Sequence, residues 1–273
     1  MSQRAVLSEI WSYPIKSCKG ISLTRGTVDL FGLHNDRRWM IIHATGGFIT
    51  QRDHPKMALI SAEFLENTMI LKASGMKEQA FHFSEESSRE EIMVKVWDDE
   101  TLAELMPQEA HDWISNYLQD DCRLVFMPKH ARRQIDLSYA LPGQFTSFSD
   151  GYPLLLISEA SLADLNQRLD QAVSMNRFRP NLVVTGVEPY AEDQWHRITI
   201  GEVEFLVAKP CGRCIMTTID QEAGTVSGKD PLKTLSEYRK FGKKVCFGQN
   251  LIQLRQGQIQ VGDTVEITLI SHK

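Results

Sequence analysis

The sequence contains no apolar run approaching the roughly 18 residues that a membrane-spanning helix needs. It also lacks an excess of base: 30 lysines and arginines face 35 aspartates and glutamates, leaving a net charge of −5. That balance argues against coating a nucleic acid or lying on an anionic membrane. Five cysteines, an odd number, do not make a disulfide framework. The start, MSQRAVLSEIWSYPIKS, alternates like a strand and lacks the apolar stretch and cleavage site of a secretory leader, so a cytoplasmic chain is expected. There is no internal repeat, no low-complexity tract and no Gly-x-Gly-x-x-Gly turn to seat a nicotinamide or flavin. Cys18, Cys122 and Cys246 stand singly, without the spacing of a plant-type ferredoxin, so no iron–sulfur cluster is expected in this chain.

What is present suits one large or two ordinary globular domains: 273 residues, 42% of them hydrophobic. Alternation predicts strands over Val6–Ser12, Ala58–Phe64, Thr68–Ala73, Ile92–Trp97 and Cys122–Met127. RRWMIIHATGGFITQR reads as a hairpin turning at Gly46-Gly47. SEESSREE, residues 84–91, reads as a solvated loop. After Pro107, the residues Ala110, Trp113, Ile114, Tyr117 and Leu118 share one helical face. The basic loop PKHARRQ, opening at Pro128, is the expected boundary between domains 1–127 and 128–273. Beyond it come a buried strand over Leu154–Ile157, an N-cap at Ser158 and a helical stripe of Leu162, Leu165 and Leu169. Leu182–Val187 reads as a strand and RITIGEVEFLV as a hairpin around Gly201. Asp230-Pro231 opens a last helix, and two more strands flank Gly262-Asp263. Many short strands with scattered helices predict an α+β, mainly β chain of barrel-like domains.

The chemistry concentrates at AKPCGRCIMTTIDQEAG, where Cys211 and Cys214 stand three apart between an alternating run and a polar turn. A structural zinc site needs four ligands, and neither a second pair nor spaced histidines follow. A thioredoxin-like pair sits at a helix N-terminus, whereas IMTTID is β-branched and strand-like. Two buried structural cysteines, or a soft-metal ligand with a bystander, also remain open on these residues alone.

PCGRCIMTTID, GKDPLKTLSEYRKF, FGQN and VGDTVEI together resemble the C-terminal half of MOSC proteins, named for the molybdenum cofactor sulfurase C-terminal domain. YPIKSCKG, DRRWMII, SDGYPLLLISEASLADLN and FRPN fall in the family's order upstream. The whole pattern is similar to the mitochondrial amidoxime-reducing component and its bacterial relatives acting on N-hydroxylated bases. The resemblance implies a MOSC β-barrel domain packed on an N-terminal MOSC-associated β-rich domain. It also implies a molybdenum–pterin cofactor (molybdopterin) between them, and it carries the domain family's association with pyridoxal phosphate.

By that resemblance Cys214 is the molybdenum ligand and catalytic centre, and a thiolate suits such a metal. Cys211 is then a neighbour. The cofactor's phosphate needs cationic and hydrogen-bonding donors, which the matching motifs supply as Lys16, Ser17, Arg37 and Arg179. Asp150, Asn181 and Ser149 are candidates for the pterin edges, and Arg213 for a substrate or cofactor oxygen. Gly151-Tyr152 departs from the small hydroxyl residues common in relatives. The implied reaction is two-electron reduction of N-hydroxylated compounds such as hydroxylaminopurines and amidoximes, fed by an external iron–sulfur or flavin donor. The basic loop at Arg132 and Arg133 is one candidate dock for that donor. The competing role is a carrier of the cofactor, or of sulfane sulfur as a persulfide on Cys214.

Overall fold

A computed structural model of the chain describes residues 4–84 and 89–270. Residues 85–88, at the centre of the acidic stretch read as a loop, lie outside them.

The largest sheet orders its strands Ile21–Leu23, Val6–Ser12, Leu182–Thr185, Leu154–Ser158, Lys244–Gln253, Val203–Gly212, Trp195–Ile200 and Val265–Leu269. All its pairings are antiparallel except that of Leu154–Ser158 with Leu182–Thr185. Alternation sends Leu7, Ile10, Ile198, Ile200, Phe205 and Leu251 into one apolar interior, and a twisted sheet buries such a face by curling. It closes on itself: Val6 bridges Thr264, and the Leu7 and Val265 amides donate to the carbonyls of Asp263 and Ala5, each at 2.9 Å. Gly248 lets the two central strands approach. Its φ is +78°, and a Cβ there would lie 2.5 Å from Ile157 Cγ1.

A second body holds the antiparallel sheet Trp39–His43, Cys122–Phe126, Asp99–Leu105 and Glu91–Val96, with the meander Ser61–Leu65, Thr68–Lys72 and Gln79–His82. Its core centres on Trp39, whose ring lies 5.0 Å from each of Phe64, Phe83 and Phe126. Burying each such ring stabilises the fold by about 1.5–3 kcal/mol. The helix Gln108–Leu118 adds Ala110, Trp113, Ile114 and Leu118 to buried positions and stops at Gln119, which is left-handed. The first residues of the chain contribute strands to the large barrel. Val6–Ser12 belongs to the large barrel, and Gly257–Gln260, near the end of the chain, pairs with Arg25–Asp29.

Several local expectations shift for identifiable reasons. The run Ala58–Phe64 begins as the 3₁₀ turn Pro55–Leu59 and becomes a strand only at Ser61, because Pro55 fixes φ while Met57 and Ala58 fill the core. The Gly46-Gly47 hairpin forms, but its return arm pairs only at Phe48 with Ile42. Ser158 caps its helix as expected, accepting from the Ser161 amide. That helix ends at Asn166, whose side chain bonds both the amide and carbonyl of Val173, so Leu169 falls beyond it. IMTT, read as strand-like, is the 3₁₀ turn Ile215–Thr218. The Thr217 and Thr218 hydroxyls donate back to the carbonyls of Cys214 and Ile215, at 3.0 and 2.8 Å, a local bond that competes with a strand.

Candidate functional site

All nine predicted site residues line one cavity of about 140 Å³, at the seam where the two bodies meet. Lys16, Ser17 and Arg37 come from the segments flanking the first barrel strand and Trp39–His43. Ser149 and Asp150 precede Leu154–Ser158, while Arg179 and Asn181 precede Leu182–Thr185. Arg213 and Cys214 follow Val203–Gly212. Ser17, Arg37 and Arg179 have φ of 66°, 48° and 55°. Left-handed backbone at non-glycine residues costs of order 1 kcal/mol or more and gathers at functional sites.

The arginines stack on one ring. The Arg37 and Arg179 guanidiniums lie 4.6 and 4.2 Å from the Tyr13 ring centroid. Arg37 is held on every side: Nη1 donates to Asp36 at 2.6 Å and to Asn181 Oδ1 at 2.8 Å, and Nη2 to the Arg179 carbonyl at 3.2 Å. Arg179 is not. Its Nη1 reaches only Gln221 at 3.5 Å, and its buried Nη2 has no partner. Burial, with the neighbouring charge of Arg37 and against the favourable Tyr13, lowers the Arg179 pKa to about 10. Burial likewise raises the Tyr13 phenol to about 12, despite both arginines. A buried guanidinium with an open donor is a seat for an anion.

Lys16 is 5% exposed; its ammonium donates to the Phe148 carbonyl at 2.8 Å and to Asp150 at 2.6 Å. Burial pushes its pKa below the ordinary lysine value, against the pull of Asp150. Burial opposes ionisation of Asp150 too, but Lys16, the Trp97 indole and Arg52 outweigh it and hold the carboxyl well below its usual range. Asn181 spends all its polar capacity on protein. Its amide donates to the Trp11 carbonyl and Asp36, and its oxygen accepts from Arg37 and the Leu155 amide. It therefore positions Arg37 and the buried Asp36 rather than offering free groups to a ligand. The Ser149 hydroxyl is engaged with Thr146.

The two cysteines differ. Cys211 is half-buried, packs against the cluster of Leu155, Phe178 and Phe247, and accepts from Arg213 Nη1 at 3.1 Å. Cys214 is exposed. Arg213 Nη2 donates to the Phe178 carbonyl at 2.7 Å, while its buried Nε has no partner. Among the described residues no group of three or more His, Cys, Asp or Glu side chains could hold a metal by themselves.

Sequence reading missed Thr50 and Arg52, which line the cavity, and Trp97, which donates to Asp150 at 3.1 Å under the Arg52 guanidinium. The hairpin reading hid Thr50 and Arg52, and a lone tryptophan at a strand end carried no signal. Arg133, in the loop named as a dock, is 3% exposed and bonds Asp99 and the carbonyls of Ser147, Ser149 and Asp150. It braces the cavity wall from behind.

Residues 144–266 match the MOSC domain, and residues 4–121 match the MOSC N-terminal beta barrel domain. The chain is 35% identical to mitochondrial amidoxime-reducing component 1 of Mus musculus, over 97% of this chain and 83% of that protein. It is 34% identical to the Homo sapiens component 1, with the same coverage. It is also 33% identical to the molybdenum cofactor sulfurase of Arabidopsis thaliana, over 95% of this chain but 35% of that protein. No helix among the described residues is long and apolar enough to cross a membrane. With both domains matched in order and such relatives covering nearly its whole length, the chain belongs to the MOSC family, of the amidoxime-reducing component type.

Proposed function

We propose that the chain binds a molybdenum–pterin cofactor in this cavity and reduces N-hydroxylated compounds such as amidoximes and hydroxylaminopurines. The overall reaction is R–NHOH + 2 e⁻ + 2 H⁺ → R–NH₂ + H₂O. The observation that carries the reading is the pairing of an exposed thiol, Cys214, with an anion seat around the unpartnered Arg179. A lone thiolate cannot hold a metal without other ligands, and among the described residues no cluster of three or more His, Cys, Asp or Glu side chains completes a site around it. A metal bound there must arrive already ligated, which a dithiolene pterin provides, and its phosphate arm matches the cationic side.

When bound, the cofactor supplies the two-electron redox chemistry at molybdenum. The chain supplies the rest. Cys214 offers the protein thiolate. Arg179 and Lys16 offer charge to the phosphate, Arg37 and Asn181 fix the strained turn that presents Arg179, and Ser17 lines the same wall. Arg213 Nε, unpartnered between the cysteines, is placed to hold a substrate or cofactor oxygen. Electrons come from an external donor, an iron–sulfur or flavin protein.

The test compares Cys214→Ser with Cys211→Ser, reading molybdenum and pterin content and reduction of benzamidoxime by reduced viologen. The first variant is expected to lose turnover and the second to keep most of it; equal behaviour would overturn the assignment. The similarity to the plant sulfurase supports a second reading, a carrier of cofactor or of a persulfide on Cys214. Full cofactor content without viologen-driven turnover in the unmodified protein would favour the carrier.

A further inference from the structure

The cavity is small, but it opens into a much larger groove of about 1180 Å³. The two share Asp150, Tyr152, Cys211, Gly212, Arg213 and Asn250, so anything lying in the groove adjoins the thiol turn. Five lysines line the groove: Lys209, Lys229, Lys233, Lys243 and Lys244. None has an ion-pair partner among the described residues. The groove's carboxylates answer only one of them, since Asp136 faces Lys209. Asp99 is paired with Arg133 and Asp150 with Lys16, and Asp136, whose side chain caps the Ser138 amide, answers Lys209 alone. The chain as a whole is acidic, at −5, so Lys229, Lys233, Lys243 and Lys244 make a local concentration of unanswered positive charge.

Its placement is specific. Lys244 lies along the thiol turn: a Cβ on Gly212 would sit 3.3 Å from Lys244 Cδ, and the Arg213 amide donates to the Val245 carbonyl at 2.7 Å. Lys209 lies over two tyrosine rings, 4.3 Å from Tyr139 and 4.8 Å from Tyr152, which themselves meet edge to face. The groove thus has an aromatic wall beside the reacting end and a cationic rim.

We infer that the groove binds the substrate's body, and that this body is anionic: a phosphate-bearing N-hydroxylated compound, with an N-hydroxylated nucleotide fitting both the rings and the lysines. The inference rests on the reductase reading above and narrows its substrate class. At about 1180 Å³ the groove is larger than a small neutral amidoxime needs and has room for a ligand of nucleotide size. A phosphate on several lysines is held by charge-assisted bonds that weaken with salt.

The experiment has two arms. The first measures KM and kcat of the molybdenum-loaded protein, driven by reduced viologen, for N6-hydroxyadenosine and its 5′-monophosphate. The phosphorylated compound should show a KM about tenfold lower or more at low salt. A Lys229→Ala/Lys233→Ala/Lys243→Ala variant should erase that advantage while leaving kcat and the KM for the nucleoside unchanged. The second arm measures equilibrium binding of adenosine 5′-monophosphate, which cannot be reduced, to both proteins. Binding by the unmodified chain and its loss in the triple variant support the groove even if neither hydroxylated compound turns over, an outcome that counts against the reductase reading alone. Equal KM values for nucleoside and nucleotide, or no binding of the monophosphate, overturn the inference and leave the reductase reading standing. Lysine variants that slow turnover only when a protein donor replaces viologen also overturn it, since the rim would then dock that donor.

Discussion

Replacing Arg179 by methionine keeps an unbranched stem and removes the guanidinium, and the consequence for stability runs against intuition. Folding lowers the Arg179 pKa from 12.5 to about 10, and at about 1.4 kcal/mol per unit its charge costs the empty protein on the order of 3 kcal/mol. The sign follows from linkage. A cation depressed in the folded state destabilises the fold at all pH below about 10, and the penalty fades only as pH rises from there towards 12.5. Against this stands the lost stacking on Tyr13, about 0.5–2 kcal/mol. Cofactor-free Arg179→Met should therefore be about 1–2 kcal/mol more stable than the parent, yet retain little pterin. Arg37→Met should do the opposite. It strands Asp36, 1% exposed, and removes the donor to Asn181, a loss of about 3–5 kcal/mol. Urea unfolding of both cofactor-free variants, with pterin and molybdenum analysis after expression, decides the matter. If Arg179→Met is destabilised like Arg37→Met, or holds full pterin, Arg179 is not an anion seat.

Three further outcomes are expected. The stability that Asp150 draws from Lys16 is present above the ordinary carboxylate pKa near 3.9 and is lost as pH falls below it. Asp150→Asn should accordingly lower the melting temperature at pH 7 and flatten its decline between pH 4 and 2; an unchanged acid limb would refute this. Gly248→Ala should cost about 2 kcal/mol or more, because its Cβ meets Ile157 and the Leu156 carbonyl at left-handed φ; thermal unfolding of the variant checks it. A fragment of residues 128–273 should not fold alone, since Leu182–Thr185 loses Val6–Ser12 and presents an open edge; a dispersed amide NMR spectrum from it would show otherwise.

Much of the site was legible because its residues lie in short contiguous motifs whose chemistry is local. The Ser158 cap and the helix after Pro107 were legible for the same reason, since caps and 3.6-residue periodicity act over a few positions. What escaped needed three dimensions. Nothing in the sequence of Asn181 says that Trp11, Asp36, Arg37 and Leu155 exhaust its polar atoms, and that turns a candidate ligand contact into a brace. Arg133 looked like a surface charge until the carbonyls of Ser147, Ser149 and Asp150 converged on it. Thr217 and Thr218 look like strand residues because β-branching dominates the pattern, whereas their hydroxyl bonds to the preceding turn decide the conformation.

The contribution of the first strands to the large barrel also sets a timetable for synthesis. Ile10 must wait for Leu182, 172 positions later, and Val6 for Thr264. At ribosomal speeds of about 5–20 residues per second, the first strand waits roughly 9–34 s for Leu182–Thr185, its second neighbour. During that interval it can pair only with Ile21–Leu23, and its apolar side chains lack the rest of the barrel that buries them. The wall carrying Lys16 and Arg37 therefore leaves the ribosome long before the wall carrying Arg179 and Cys214. The anion seat cannot exist before Arg179 has emerged to join Tyr13 and Arg37, and the thiol of Cys214 joins it later still.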